Sequence, residues 1–372
     1  MRWDDIYLAG TGAWLPTDHV TARQAVADGD YSPEEAERSE QLHLIVAPPD
    51  ASTPGMAAAA ATQALRRAAR TPGEVDVLLY SVLKHNGINV ANPTSYVQRE
   101  VGSAAAFAAE VRAGSNGGLA ALELACDRLA ARPDANLALV TCADIWGPPH
   151  FDRWRADSGL VFGDGGSAVA VSTRGGFARL RSLVTTQDPE LEGLHRGNDG
   201  FGDFRNGADH PIDLFRRAQA FLERMPKEEL WKRGAVGLHA AVARAADEAG
   251  IALEAADHVV LPHFGSQLLR RQVLQPIGLS DFSRTTWEFA RRVGHLGAGD
   301  QFAGLNHLAE SGTLRPGQHI VVIGVGGGFN WSCAVLEVLD TPAWSGRENA
   351  PHPGHALHPG HAPAGEGSGT CP

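Results

Sequence analysis

The sequence predicts a layered α/β protein in which one architecture occurs twice. Apolar, strand-like runs such as residues 75–82 and 136–142 alternate with helix-forming stretches such as residues 53–70. Both halves of the chain contain strands that run into Gly-rich turns, which indicates internal duplication. The length of 372 residues is sufficient for two domains or one large duplicated fold.

The remaining elements follow from apolar periodicity and turn residues. In chain order we expect a strand with a glycine turn (6–15), a charged helix (33–45), a short helix (92–102), a hairpin around Gly-Asp-Gly (160–171), a strand (178–186), a long loop (187–211), a largely helical stretch (218–250), a strand into a Gly-rich turn (318–331) and a final strand (332–339). The loop 187–211 is longer than a plain connector, which predicts a functional role. Gly10 and Gly12 resemble the start of a dinucleotide fingerprint, but the third glycine is missing.

Composition excludes several classes of function. The net charge is −11 and no basic cluster occurs, which disfavours nucleic-acid binding. No run of 18 apolar residues exists, so we expect no membrane span. The first residues lack the apolar core of a signal peptide, and the four cysteines have no metal-ligand spacing. We therefore expect a cytoplasmic protein with reduced thiols and no metal site.

The C-terminal region, residues 341–372, has a different composition from the rest of the chain. Pro, Gly, His and Ala dominate it, and such a segment cannot bury enough surface to order itself. His352, His355, His358 and His361 recur at every third position. We predict a disordered tail in which any metal affinity is incidental.

A serine at an abrupt strand-to-helix turn is the first candidate for a catalytic residue. Residues 111–119 lead an apolar run into a turn of small residues, and a helix-forming run follows directly. Ser115 therefore lies where unpaired N–H groups and the helix dipole favour a developing oxyanion, as in a nucleophile elbow. The alternative, on this stretch alone, is a serine that only caps the helix.

Two histidines and a carboxylate follow in the second half. His263 comes after a strand and a proline, and His295 and Asp300 share one Gly-rich segment. The ends of strands in an α/β sheet are where sites form. Simpler roles are open to these three: His263 as a core histidine, and His295 and Asp300 as residues that shape a loop. We expect Asp164 only to fix its own Gly-Asp-Gly turn and to take no part in the chemistry.

These pieces together resemble the ketoacyl-ACP synthase III family of the thiolase superfamily. The markers, in the family's order and spacing, are Gly-Ala-Trp-Leu-Pro at 12–16, Phe-Gly-Asp-Gly-Gly-Ser-Ala at 162–168, Pro262-His263, the segment that begins at Gly294, and Gly-Gly-Gly-Phe-Asn-Trp at 326–331. The resemblance covers roughly residues 5–340. It implies the thiolase fold, a duplicated five-layer αβαβα arrangement with halves at residues 1–174 and 175–340. It also implies a homodimer and an acyl-enzyme mechanism that needs no cofactor beyond the acyl thioester donor.

The chain departs from the family at two functional positions. The family has a cysteine nucleophile where Ser115 stands and an asparagine where His295 stands. In the condensing enzymes that asparagine acts, with the histidine matched by His263, on the carbanion from malonyl thioester. A serine needs a base more than a cysteine does because its hydroxyl is hardly ionised at neutral pH. Ser115, His295 and Asp300 have the composition of a hydrolase-like triad.

The pattern is similar to the synthase-III-like acyltransferases of antibiotic biosynthesis, which include the cervimycin malonyl, pactamycin 6-methylsalicylyl and daunorubicin starter-unit enzymes. Carried over by position, it implies Ser115 as nucleophile, His295 as general base and Asp300 as the residue that orients His295. It implies an oxyanion hole made by the backbone N–H groups of Ser115 and Gly327. His263 would polarise the thioester carbonyl or hold the acceptor.

The resemblance also bears on donor and acceptor. Residues 39–48 lack the tryptophan and arginine of the family's CoA users, so we expect an acyl carrier protein as donor, although CoA or small thioesters are also accepted. The aromatic segment 144–154 and the loop 187–211 are expected to line the acyl or acceptor pocket. The predicted reaction is transfer of an acyl group to a hydroxyl or amine of a sugar- or aminocyclitol-type natural product. Two alternatives are a decarboxylating starter-unit synthase that uses malonyl carrier protein and a non-catalytic partner subunit of a synthase.

Overall fold

A computed structural model describes residues 1–84, 90–201 and 211–346 of the chain. The strands are β1 (Tyr7–Trp14), β2 (His19–Thr21), β3 (His43–Ile45), β4 (Val77–Ser81), β5 (Phe107–Val111), β6 (Leu137–Asp144), β7 (Gly165–Ser172), β8 (Ala178–Gln187), β9 (His258–Val260), β10 (His319–Gly326) and β11 (Asn330–Val338). The helices are α1 (Ala22–Ala27), α2 (Pro33–Ser39), α3 (Thr53–Arg67), α4 (Pro93–Val101), α5 (Gly117–Ala131), α6 (Gly193–Arg196), α7 (Leu214–Leu222), α8 (Lys227–Ala249), α9 (Ser266–Leu269), α10 (Trp287–Ala290) and α11 (Asp300–Ser311).

The strand order confirms the predicted duplication. Nine strands form one sheet in the order β5-β4-β6-β7-β1-β8-β11-β10-β9, and β2 pairs with β3 separately. The run β4-β6-β7-β1 of the first half recurs as β9-β10-β11-β8 in the second. In both runs the first pair is parallel and the second pair antiparallel. The halves meet where β1 pairs briefly with β8, and the predicted division at residues 174/175 falls between β7 and β8.

The packing gives the five-layer αβαβα arrangement of the thiolase fold, as predicted. One core joins both halves of the sheet to α5 and α11, with Leu119, Leu122 and Phe302 almost fully buried in it. A second core covers the opposite face of the N-terminal half with α3 and α4. A third packs α8 on the outer face of the C-terminal half. The two central helices begin beside the candidate catalytic residues.

The glycine pair in β1 serves close helix packing. A Cβ atom added at Gly10 would lie 2.3 Å from the carbonyl oxygen of Ala64, and one added at Gly12 would lie 2.2 Å from that of Ala60. Both carbonyls belong to α3, so β1 contacts the helix backbone directly. This contact accounts for two glycines that a dinucleotide fingerprint would also contain.

The expected hairpin over residues 160–171 is wrong. β7 begins only at Gly165, and the residues before it pair with a distant segment instead. The amide of His295 donates to the carbonyl of Val161 at 2.7 Å, and the amide of Gly163 donates to the carbonyl of His295 at 3.1 Å. Sequence periodicity does not reveal such pairing, because the partner lies more than 130 residues away.

Two other predicted segments are only partly described. Within the predicted loop 187–211, residues 189–191 form a 3₁₀ turn and α6 follows, whereas residues 202–210 lie outside the described residues. Within the predicted tail, residues 341–346 are described, and Trp344 packs edge-on against Phe177 with ring centroids 5.5 Å apart. Residues 347–372, which carry the four histidines at every third position, lie outside the described residues.

Among the helices of the described ranges, none is both long and apolar enough to cross a bilayer.

We predict that Phe302→Ala destabilises the protein by about 3–5 kcal/mol, because Phe302 is fully buried in the central helical layer and truncation leaves a cavity there. Urea unfolding followed by circular dichroism measures the change in free energy. Phe215→Ala is the control, since Phe215 is 50% exposed, and its midpoint should match that of the wild type. Equal midpoints for all three proteins would contradict the assignment of Phe302 to the core.

Candidate active site

Ser115 lies on the predicted turn between a strand and a helix. β5 ends at Val111 and α5 begins at Gly117, so the turn contains only five residues. Gly114 has a φ of 60°, which a residue with a Cβ adopts rarely, and a Cβ there would lie 2.7 Å from the amide nitrogen of Gly327. The backbone geometry therefore holds Ser115 at the start of α5 and beside the Gly-rich turn of the second half.

The structure brings Ser115, His295 and Asp300 together in one hydrogen-bonded chain. The Oγ atom of Ser115 is 2.8 Å from Nε2 of His295, and Nδ1 of His295 is 2.7 Å from Oδ2 of Asp300. An ionised carboxylate only accepts hydrogen bonds, so Nδ1 carries the proton and Nε2 accepts from the Ser115 hydroxyl. All three side chains are buried, with His295 1% exposed and Asp300 fully buried.

Asp300 also connects the two histidine segments. Its Oδ1 accepts from the amide of Leu296 at 2.7 Å, and its Oδ2 accepts from the amide of His263 at 2.8 Å. Burial alone would raise the pKa of the Asp300 carboxyl. Its interactions with both histidines, which include hydrogen bonds from the ring of His295 and from the backbone amide of His263, outweigh burial and lower that pKa. Asp300 is therefore an ionised carboxylate at neutral pH.

The pKa of His295 is raised above its usual value. Burial opposes the charged ring, but the charge of Asp300 and its hydrogen bond to Nδ1 favour the imidazolium more strongly, and Asp144 and Asp157 add to this. A base of this kind can take a proton from Ser115 and hold it while charge develops on the substrate. The arrangement has the geometry of an activated serine nucleophile.

His263 has the opposite electrostatic character. Burial lowers its pKa, and this effect exceeds the stabilisation of its charged form by Asp300 and by the carbonyl of Gly294. Nδ1 is 2.9 Å from the oxygen of Gly294, which can only accept, so Nδ1 carries the proton of the neutral ring. Nε2 is buried and has no hydrogen-bond partner among the described residues. It therefore presents a lone pair, which accepts a hydrogen bond but cannot donate one to a carbonyl oxygen.

Aromatic rings surround His295 on several sides. The rings of Phe162 and Phe264 contact it edge-on at centroid distances of 5.5 and 5.8 Å, and Trp146 stacks at 6.4 Å. Sequence reasoning placed Trp146 in the segment 144–154 but did not connect any of these rings to His295. The only hint in the sequence was that two of these aromatic residues lie in the family motifs: Phe264 directly follows His263, and Phe162 directly precedes Gly163.

Two further buried carboxylates position the surrounding loops. Asp144 accepts hydrogen bonds from the amides of Leu83, Lys84 and Ala298, and burial raises its pKa to about 6. Asp164 binds both terminal nitrogens of Arg153, each at 2.7 Å, and accepts from the amides of Ala47 and Trp146. The expectation that Asp164 only fixes its own turn was too narrow, because it joins three separate segments.

Asn116 is a residue of the site that sequence reasoning missed. Its side-chain nitrogen donates to Oδ1 of Asn330 and to Oγ of Ser332, both at 2.7 Å. A Cβ at Gly324 would lie 2.0 Å from Oδ1 of Asn116, so β10 and β11 close tightly around this side chain. Asn116 thereby attaches the turn that carries Ser115 to the turn that contains Gly327.

Comparison with known proteins identifies the family. Residues 246–338 match the family described as 3-oxoacyl-[acyl-carrier-protein (ACP)] synthase III C terminal. The structure of the ChlB3 acyltransferase aligns with a TM-score of 0.85 and 37% sequence identity, over 92% of this chain and 100% of ChlB3. The chain belongs to the ketoacyl-ACP synthase III-like family of the thiolase superfamily. It is therefore an enzyme of the acyl-transferring and condensing class, whose members use acyl thioesters.

Other relatives of the synthase III-like family are more distant. The β-ketoacyl-ACP synthase III of Caulobacter vibrioides is 26% identical over 337 residues, which cover 89% of this chain and 99% of that protein. The priming β-ketosynthase of the R1128 polyketide pathway aligns with a TM-score of 0.74 at 20% identity, over 91% of this chain and 97% of that one. The latter similarity concerns the fold alone.

Among the described residues, no group of three or more His, Cys, Asp or Glu side chains is arranged to hold a metal ion.

We predict that Asp300→Asn shifts the acid limb of the acylation pH profile to lower pH and slows acylation by about 10³–10⁴-fold. Protonated His295 cannot accept a proton, so the rate rises with pH through the pKa of His295, which Asp300 raises. Single-turnover acylation from about pH 5 to 9 measures the limb. Asp247→Asn, on the exposed face of α8, is the control and should keep the wild-type profile. An unshifted limb in Asp300→Asn would disprove the electrostatic coupling.

Proposed function

We propose that this chain is an acyltransferase that moves an acyl group from a carrier-protein or CoA thioester, through an ester on Ser115, to a hydroxyl or amine. A sugar- or aminocyclitol-type natural product is the proposed acceptor. The observation that carries the proposal is the chain from Ser115 Oγ through His295 to Asp300, with distances of 2.8 and 2.7 Å. The 37% identity to the ChlB3 acyltransferase supports it.

In the proposed first half-reaction, Ser115 is acylated. The Oγ atom bonds to the thioester carbonyl carbon while its proton moves to Nε2 of His295. The C–S bond then breaks, and the leaving sulfur takes the proton from His295. Asp300 stabilises the imidazolium that exists between these two transfers.

In the proposed second half-reaction, the acceptor hydroxyl or amine loses its proton to Nε2 of His295 and attacks the ester carbon. The bond from that carbon to Oγ breaks, and Ser115 regains the proton. The unpartnered Nε2 of His263 suits an acceptor O–H or N–H group, because a lone pair accepts their hydrogen bond. Between the two roles first considered for His263, this favours holding the acceptor over polarising the thioester carbonyl.

The proposed oxyanion hole consists of the backbone N–H groups of Ser115 and Gly327. Two observations support it. Ser115 lies just before the N-terminus of α5, and the amide nitrogen of Gly327 lies against Gly114. Each such donor typically contributes about 3 kcal/mol to stabilisation of the transition state.

A decarboxylating starter-unit synthase is the second candidate, favoured by the name of relatives such as the β-ketoacyl-ACP synthase III of Caulobacter vibrioides. His295 in place of the family's asparagine opposes it. Release of CO₂ from malonyl thioester during turnover, with formation of a C–C bond, would establish the second candidate and reject the first.

We propose further that the protein is a homodimer joined through β5. This strand lies at the end of the sheet order, so its outer edge has no partner strand within the described chain. Phe107 on β5 and Leu124 on α5 are 46% and 53% exposed. An uncovered apolar edge strand is a liability that pairing with a second copy removes.

We predict that Ser115→Ala forms no covalent acyl-enzyme, because the Oγ atom is the proposed site of attachment. Mass spectrometry of the intact protein after incubation with an acyl thioester measures the added mass. Ser158→Ala is the matched control, since Ser158 is exposed and its hydroxyl donates to Glu35 and not to a residue of the proposed triad, and it should acylate normally. Unchanged acylation of Ser115→Ala would contradict the proposed function.

We predict that Phe107→Glu converts the dimer to a monomer, because it places a carboxylate on the proposed interface. The monomer should tolerate this substitution, since Cζ of Arg128 lies 3.8 Å from the centroid of the Phe107 ring and the guanidinium can pair with the new carboxylate. Sedimentation velocity measures the mass in solution. Val236→Glu, at a position that is 63% exposed on α8, should leave the dimer intact. A wild-type protein that sediments as a monomer would refute the proposed dimer.

A further inference from the structure

A third imidazole, that of His195, lies against the turn of the proposed oxyanion hole. His195 belongs to α6, in the segment after β8. A Cβ atom added at Gly327 would lie 2.3 Å from Nδ1 and 2.7 Å from Cε1 of His195. The ring also packs on Phe329, with centroids 5.4 Å apart. The edge of the imidazole thus occupies the space that a side chain at residue 327 would fill.

The segment that carries His195 is attached on both sides. Backbone hydrogen bonds run in both directions between Asp188 and Phe329, at 2.9 and 3.1 Å, and join the segment to the Gly-rich turn. On its other side, Arg217 donates to the carbonyl of His195 at 3.4 Å and Arg224 donates to that of Gly197 at 3.0 Å. These protein contacts hold His195 beside Gly327.

The ring of His195 has unused hydrogen-bonding capacity. Neither ring nitrogen has a hydrogen-bond partner among the described residues, and the side chain is half-buried. Burial, with repulsion from His295 and Arg217, lowers its pKa to about 4. His195 is therefore neutral where His295 acts as a base, and a neutral imidazole offers one N–H group and one lone pair.

We propose that His195 hydrogen-bonds a hydroxyl or amine of the substrate bound beside Gly327 and so helps to determine which substrates the site accepts. The inference rests on the proposed function, since it assumes that the reacting carbonyl lies at this turn. The group that His195 would recognise is an O–H or N–H group close to that carbonyl. It comes either from the acyl group itself or from the incoming acceptor, and the two half-reactions distinguish these sources.

The test compares His195→Phe, which keeps a planar ring but cannot hydrogen-bond, with His195→Gln, which keeps hydrogen-bonding groups. Acylation of Ser115 is timed by mass spectrometry with the N-acetylcysteamine thioesters of butyrate and 3-hydroxybutyrate, which differ by one hydroxyl. Transfer is measured as hydroxamate formed from the acyl-enzyme and hydroxylamine. His258→Asn, a half-buried histidine of β9 outside the site, is the control.

We expect His195→Phe to lose about tenfold in one half-reaction, as for loss of one neutral hydrogen bond, and His195→Gln to recover part of it. Selective loss with the 3-hydroxybutyryl donor assigns the contact to the acyl group. Normal acylation with a raised KM for hydroxylamine assigns it to the acceptor. Wild-type rates in His195→Phe, or equal losses in both variants, overturn the proposal.

These outcomes are separable from failure of the proposed function. If the wild-type protein forms no ester on Ser115, the proposed function itself fails. If the wild type acylates and transfers normally and His195→Phe does the same, only the role of His195 is rejected.

Discussion

The candidate site depends on one buried carboxylate. Asp300 accepts hydrogen bonds from the ring of His295 and from the backbone amides of Leu296 and His263, so a single side chain fixes both histidine segments. A buried carboxylate is costly unless such partners compensate it. The same contacts that offset its burial set the tautomer of His295 and raise the pKa of that ring. Positioning and electrostatics therefore arise from one set of bonds.

The duplicated fold explains why the serine and its partners come from different halves. Ser115 precedes α5 of the first half, and Asp300 begins α11 of the second half. The N-termini of the two central helices therefore lie next to each other at the site. Close backbone approach makes this arrangement tight. Gly114 contacts Gly327, and Asn116 bridges to Asn330 across the junction, where larger residues would force the turns apart. A displacement of either half would separate Ser115 from His295.

The two buried histidines of the site, His263 and His295, have pKa values that their surroundings shift in opposite directions. Nδ1 of His295 donates to Asp300 at 2.7 Å, and the pKa of that ring is raised. Nδ1 of His263 donates to the carbonyl of Gly294 at 2.9 Å and lies 3.4 Å from Asp300, and the pKa of that ring is lowered. The first ring is suited to take up a proton, and the second to accept a hydrogen bond while remaining neutral. Under the proposed function, the histidine that stands in place of the family's asparagine would therefore serve as a base next to the serine.

The sequence by itself determined the duplicated α/β class, the turn that carries Ser115 and the identity of the triad candidates, because apolar periodicity and glycine-rich turns are local signals. It did not reveal the pairing of Val161 and Gly163 with His295, the bridge from Asn116 or the aromatic rings around His295. Each of these joins segments far apart in the chain. The tautomer of His263 and the opposite pKa shifts were likewise decided only by tertiary structure, because burial and the distance to Asp300 set them, and neither quantity is encoded in residue order alone.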